Sequence, residues 1–123
     1  MTVHVHVYAK CSTCRKALRF LRDRSIEPEI RSVIDCPPSR DELARLHRSS
    51  GLPLRRFFNT SGRRYRELNL SARMDALSDE QRLDLLASDG MLLRRPLAVL
   101  DDGTVLVGFR AEEWTRALAA AES

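Results

Sequence analysis

The chain has 123 residues, 43% of them hydrophobic and 31% charged, and a formal net charge of +4. This length predicts a single domain, residues 1–123, whose core needs no disulfide staples. There is no apolar run near the roughly 20 residues of a membrane span and no signal-peptide pattern, so we expect no membrane partner. Basic and acidic residues are interleaved, so we also expect no direct contact with nucleic acid.

The first third of the chain predicts a strand, a helix and a strand. Residues 3–8 alternate apolar and polar side chains, which is the period of a half-buried strand. A helical pattern begins at Ser12 and ends near Asp23 or Arg24, and residues 29–33 predict a second strand. Ser39 with Glu42 then forms a capping-box pattern that opens a helix ending near Gly51.

The last third predicts the complementary pattern of two strands and a helix. A helix begins at Ser78 and ends near Gly90. Residues 97–100 and 104–108 predict a hairpin, and residues 111–121 a final helix with Trp114 as its core anchor. The order β-α-β, helical block, β-β-α predicts an α/β, thioredoxin-like fold with a helical insertion at about residues 39–90.

Cys11 and Cys14 form a C-x-x-C pair at the junction between the first predicted strand and helix. A sulfur at a helix N-terminus faces unpaired N–H groups and the positive end of the helix dipole, which lower the pKa of a thiol. Cys14 follows one helical turn later, close enough for a disulfide. The pattern favours a redox-active pair over two alternatives, half of a zinc site and two inert core thiols.

The remaining candidate metal ligands do not form a group in the sequence. His4 and His6 share one face of an edge or half-exposed strand, where we expect them to be solvated rather than metal ligands. Cys36 stands beside two prolines and is interpreted as an incidental loop or core thiol. An odd number of cysteines does not fit a secreted disulfide framework, so a reducing cytoplasm is the expected compartment.

Six short motifs follow one another along nearly the whole chain. They are residues 11–17 (CSTCRKA), 57–62 (FFNTSG), 65–68 (YREL), 87–92 (ASDGML), 94–97 (RRPL) and 107–109 (VGF). In this order they resemble the arsenate reductase-like family, the thioredoxin-fold group that also contains the Spx regulators. The motifs at 57–62 and 107–109 are more similar to the arsenate reductase-like branch than to Spx.

The resemblance implies a role for several residues. Cys11 matches the family's nucleophile, and the loop of Ser12, Thr13 and Arg15 matches a backbone cradle for an oxyanion. Arg95 matches one oxyanion-binding arginine. It is followed by Pro96, the position of a cis-proline that faces the cysteines in this fold.

The chain also departs from the pattern of the true arsenate reductases. Their second arginine aligns with Asn59, and their third falls near Phe109 and Arg110, so one of three arginines is present. Those enzymes commonly lack the second cysteine and depend on glutathione, whereas Cys14 here could resolve an intermediate internally.

The resemblance therefore implies a thiol–disulfide oxidoreductase without a bound cofactor. Its reductant would be glutathione, glutaredoxin or thioredoxin, and arsenate is a candidate substrate. The alternative is an Spx-like redox-sensing regulator that binds the RNA polymerase α subunit, in which the cysteine pair is a switch.

Overall fold

The computed structural model describes residues 1–122, which form two compact units. The sheet unit consists of Met1–Ser32 and the segment from Arg95 onward, and the helical unit is Val33–Arg94. Within residues 1–122, no helix is long and apolar enough to cross a membrane.

The sheet unit is built on four strands in the order β2-β1-β3-β4. The strands are β1 (Val3–Val7), β2 (Glu29–Ser32), β3 (Leu97–Leu100) and β4 (Val105–Val107). β1 pairs in parallel with β2 and antiparallel with β3, and β3 pairs antiparallel with β4. A mixed sheet of this order confirms the predicted β-α-β and β-β-α halves.

Two helices complete the sheet unit, α1 (Ser12–Asp23) and α6 (Ala111–Glu122). Side chains alternate along a strand, so every second residue of β1 joins the same core. Members of that core are Val3, Val5, Val7, Ala17, Leu21, Ala98, Leu100, Leu106, Trp114 and Leu118. Trp114 is fully buried, and its indole N–H donates to the Gly108 carbonyl at 3.1 Å, which confirms the predicted core anchor of the last helix.

The prediction that His4 and His6 are both solvated, on an edge or half-exposed strand, is wrong for His6. β1 has a neighbouring strand on each side, and His6 is only 2% exposed. His4 is partly exposed and lies 3.1 Å from the carboxylate of Glu29 on β2. The alternating pattern gives the strand period but not the number of neighbouring strands, so it could not reveal the burial of His6.

The helical unit contains four α-helices. They are α2 (Arg40–Ser50), α3 (Arg63–Glu67), α4 (Leu70–Arg73) and α5 (Asp79–Ser88), with 3₁₀ turns at Leu54–Phe57, Met74–Ala76 and Gly90–Leu92. The Ser39 hydroxyl caps α2 by accepting the Glu42 N–H at 3.1 Å, and Gly51 ends that helix in the left-handed region with φ 68°. Ser78 and Gln81 form a complete capping box on α5.

Gly90 lies against backbone of its own unit. A Cβ built on Gly90 would be 2.0 Å from the carbonyl oxygen of Val33 and 2.8 Å from the carbonyl carbon. Only glycine permits this approach without a movement of the main chain.

Candidate active site around Cys11 and Cys14

The Cys11 sulfur lies at the N-terminus of α1, as the C-x-x-C spacing predicts. The Cys11 N–H donates to the Tyr8 carbonyl at 3.0 Å, which turns the chain from β1 into the helix. Cys11 is the N-cap residue, and its Sγ accepts the Cys14 backbone N–H at 3.4 Å. A sulfur therefore stands where a serine or aspartate oxygen commonly caps a helix.

The surroundings of Cys11 favour its thiolate. Burial by itself would raise the pKa of the Cys11 thiol. Hydrogen bonds from the Cys14 thiol, the Cys14 N–H and the Thr13 N–H, together with the positive charge of Arg95, instead hold that pKa below the ordinary 9.0. Since Cys11 is only partly buried, the sulfur that carries the charge is also accessible to a reactant.

Cys14 has the opposite properties. Its side chain is 1% exposed, and burial is the main cause that raises the pKa of its thiol to about 12. The hydrogen bond that it donates to Cys11 and the negative charge of Cys11 raise this pKa further, while the Tyr8 backbone and Arg95 oppose the change. Both thiols are free, so one sulfur is prepared to attack while the other keeps its proton.

Arg95 and Pro96 lie just before β3. The Arg95–Pro96 peptide is cis, as the fold predicts, and Pro96 is buried. The Arg95 guanidinium stacks on the ring of Tyr8, with Cζ 5.0 Å from the ring centroid. The sequence reasoning did not single out Tyr8. No local pattern could have found it, because the contact depends on the pairing of β1 with β3, in which His6 lies opposite Leu97.

The predicted oxyanion loop occupies the first turn of α1. Ser12 is exposed and Thr13 is partly buried. The Arg15 guanidinium donates to the Ala9 carbonyl at 3.2 Å, so it fastens the loop that precedes Cys11.

The positions aligned with the other two arginines have different surroundings. Asn59 belongs to the helical unit, where its N–H donates to the Leu92 carbonyl at 2.8 Å. Phe109 contacts the rings of Phe20 and Trp114 at centroid distances of 5.3 and 5.1 Å, and Arg110 is exposed. Phe109 is thus part of an aromatic cluster in the sheet unit.

Cys36 lies on an exposed bend of the helical unit. That position confirms its interpretation as a loop thiol. In the part of the chain that the structure describes, no three His, Cys, Asp or Glu side chains are grouped as metal ligands.

The fold and the cysteine pair define a thioredoxin-like protein with a dithiol at the start of its first helix. The ArsC family model matches residues 6–117, and the chain belongs to the ArsC family.

Relatives of known sequence or structure agree with this assignment. The chain is 45% identical to the uncharacterized protein YusI of Bacillus subtilis (strain 168) over 114 residues, which cover 93% of this chain and 96% of YusI. It is 34% identical to an arsenate reductase of Escherichia coli over 96 residues, 78% of this chain and 67% of that enzyme. An ArsC family related protein from Bacteroides fragilis superposes with a TM-score of 0.89 at 42% identity, covering 94% and 97% of the two chains.

Proposed function

We propose that this chain is a thiol–disulfide oxidoreductase in which Cys11 is the nucleophile and Cys14 the resolving cysteine. The observation that carries the proposal is the opposite perturbation of the two thiols, a lowered pKa at the accessible Cys11 and a pKa of about 12 at the buried Cys14. The thiolate is the reactive form of cysteine, so this asymmetry supports attack by Cys11 first and by Cys14 second.

The first step is a disulfide exchange. The Cys11 thiolate attacks one sulfur of a substrate disulfide, a new S–S bond joins Cys11 to that sulfur, and the other substrate sulfur leaves as a thiolate. Arg95 and the N-terminus of α1 stabilise negative charge at this point.

The second step uses Cys14. Once Cys11 is in a mixed disulfide it has no negative charge, so one of the causes that raise the pKa of Cys14 is removed. Cys14 loses its proton to solvent and attacks the Cys11 sulfur, which forms the Cys11–Cys14 disulfide and releases the second substrate thiolate. The substrate gains two electrons and the dithiol loses two.

A thiol reductant then returns two electrons and two protons to the pair. Glutathione, glutaredoxin or thioredoxin would fill this role, and a reducing cytoplasm would supply it. No further cofactor enters the cycle.

Arsenate is the first oxyanion to test, because relatives at 34% identity are arsenate reductases. The N-terminus of α1, the Thr13 N–H and Arg95 provide charge and donors for an anion. Attack of Cys11 on arsenate would release water and form an S–As bond. Attack of Cys14 on the Cys11 sulfur would break that bond, leaving arsenic reduced by two electrons and the disulfide formed.

The test compares three single cysteine variants. Cys11→Ser should abolish turnover, and Cys14→Ser should accumulate a mixed disulfide on Cys11 that mass spectrometry detects. Cys36→Ser is the matched control and should behave as the wild type. Turnover that survives in Cys11→Ser would overturn the proposal.

One outcome would favour a regulator. If the Cys11–Cys14 disulfide forms reversibly but the wild type shows no turnover, the pair is a switch. Binding to the RNA polymerase α subunit would then be compared in the oxidised and reduced states.

A further inference from the structure

We propose that Tyr8 is a positioning residue for this thiol chemistry, because its ring holds the Arg95 guanidinium where that charge acts on Cys11. The inference rests on the proposed function of the Cys11–Cys14 pair. It assigns Tyr8 no contact with a substrate and places its effect entirely on Arg95.

The contact has the geometry of a cation–π interaction. The Cζ atom of Arg95 is 5.0 Å from the centroid of the Tyr8 ring, inside the limit of about 6 Å for such contacts. Both residues are partly buried, so the ring and the guanidinium are partly shielded from water. A desolvated contact of this kind restricts a long side chain that would otherwise sample many rotamers.

The pairing of β1 with β3 brings the two residues to the same end of the sheet. The strands are antiparallel, and the last pair in this direction is His6 with Leu97. Tyr8 and Arg95 each lie two residues beyond that pair, so the paired strands bring their chain segments close together.

Tyr8 is also joined to both cysteines through its backbone. Its carbonyl accepts the Cys11 N–H at 3.0 Å, and its backbone forms a hydrogen bond with the Cys14 thiol. These backbone bonds do not depend on the ring, so replacing the Tyr8 side chain tests the ring alone.

Loss of the Tyr8 ring should weaken the effect of Arg95 on Cys11 by increasing the distance between the guanidinium and the sulfur. A guanidinium without its aromatic support spends more time away from the sulfur, and its electrostatic effect weakens as the separation grows. The Cys11 thiolate then loses part of its stabilisation, and Cys11 should react as a thiol of higher pKa.

The experiment measures alkylation of Cys11 by iodoacetamide across a pH series, with the modified cysteine identified by mass spectrometry. All proteins carry Cys36→Ser, so that only the two site cysteines remain. Tyr8→Leu should lower the thiolate fraction below the titration midpoint by about two- to fivefold. Tyr8→Phe, which restores the aromatic face without the hydroxyl, should rescue most of this loss.

A double-mutant cycle separates positioning from a general structural effect. In the Arg95→Ala background, Tyr8→Leu should cause no further change, because the ring has no guanidinium left to hold. Equal losses with and without Arg95, or no loss in Tyr8→Leu, would overturn the assignment.

A second substitution at position 8 keeps the proposal testable when the first variant misfolds. If Tyr8→Leu does not fold, a fluorinated phenylalanine at position 8 keeps the ring shape and weakens its negative face. An unchanged Cys11 profile with that residue would overturn the proposal. A wild-type Cys11 that titrates as an ordinary thiol would instead refute the proposed function itself.

Discussion

Replacing Cys14 with alanine should raise the pKa of Cys11. In the structure the Cys14 thiol donates a hydrogen bond to the Cys11 sulfur, and the Cys14 backbone N–H donates a second at 3.4 Å. Cys14→Ala removes the first bond and keeps the second. Cys14→Ser is the matched variant, because its hydroxyl can still donate.

The size of the shift follows from the strength of the lost bond. A hydrogen bond to a charged group contributes about 1.5–3 kcal/mol. A thiol is a weak donor, and water reaches the partly buried Cys11 and replaces part of the bond, so we take about 0.7–1.4 kcal/mol. The pKa of Cys11 should therefore rise, and the fraction of Cys11 present as thiolate below its titration midpoint should fall by about three- to tenfold.

The assay is the pH dependence of Cys11 alkylation, with the modified cysteine located by mass spectrometry. The midpoint is the primary readout, because a thiolate of higher pKa is also a stronger nucleophile and offsets part of the loss in rate. We expect the pH at the midpoint to be lowest in the wild type, higher in Cys14→Ser and highest in Cys14→Ala. Identical midpoints in the three proteins would refute the role assigned to the Cys14 thiol.

Three further predictions concern stability. The pKa of Cys14 is about 12 in the folded chain, above the ordinary 9.0, so above about pH 9 the unfolded chain releases a proton that the folded chain keeps. The free energy of unfolding of the reduced wild type should therefore fall as the pH rises above about 9. Measured by urea unfolding, it should fall more steeply than that of Cys14→Ser, by up to about 1.4 kcal/mol for each pH unit. Gly90→Ala should lower the free energy of unfolding by about 1–3 kcal/mol or more, because the new Cβ meets the Val33 carbonyl. Gly62→Ala should cost less, because the atom nearest to its new Cβ belongs to the movable Asn59 side chain. Ser78→Ala removes the bond that the Ser78 hydroxyl accepts from the Gln81 N–H, keeps the bond from its own backbone N–H to the Gln81 side chain, and should cost about 1 kcal/mol, measured by thermal unfolding.

Each stability prediction has a result that would contradict it. If the free energy of unfolding changes with pH in the same way for the wild type and Cys14→Ser, Cys14 titrates alike in the folded and unfolded chains. Equal unfolding midpoints for Gly90→Ala and Gly62→Ala would show that the Val33 backbone moves at little cost. A Ser78→Ala variant as stable as the wild type would mean that water replaces the cap.

The sequence predicts the elements that carry strong local signals. The bounds of α1 and β3 agree with prediction, and Gly51 ends α2 in the left-handed conformation expected of a C-terminal glycine. Cys11 and Cys14 could be assigned because their spacing and the strand–helix junction are both local.

Other features depend on information that a local pattern does not contain. Residues 63–77 form helices of five and four residues and a 3₁₀ turn, too short for a clear period, and no element was predicted there. The burial of His6 and the stacking of Arg95 on Tyr8 both depend on which strands are neighbours in the sheet. Strand pairing joins residues far apart in the chain, so neither feature could be read from its own segment.

The most direct test of the account is the redox titration of the Cys11–Cys14 pair. Reduced protein would be equilibrated across a glutathione redox series, quenched with alkylating agent and analysed by mass spectrometry, with arsenate and disulfide reduction assayed on the same samples. We expect a reversible Cys11–Cys14 disulfide whose reduction potential is near that of the cytosolic glutathione pool, and turnover that depends on Cys11. If no Cys11–Cys14 disulfide forms at any potential in the series, the proposed redox chemistry is contradicted.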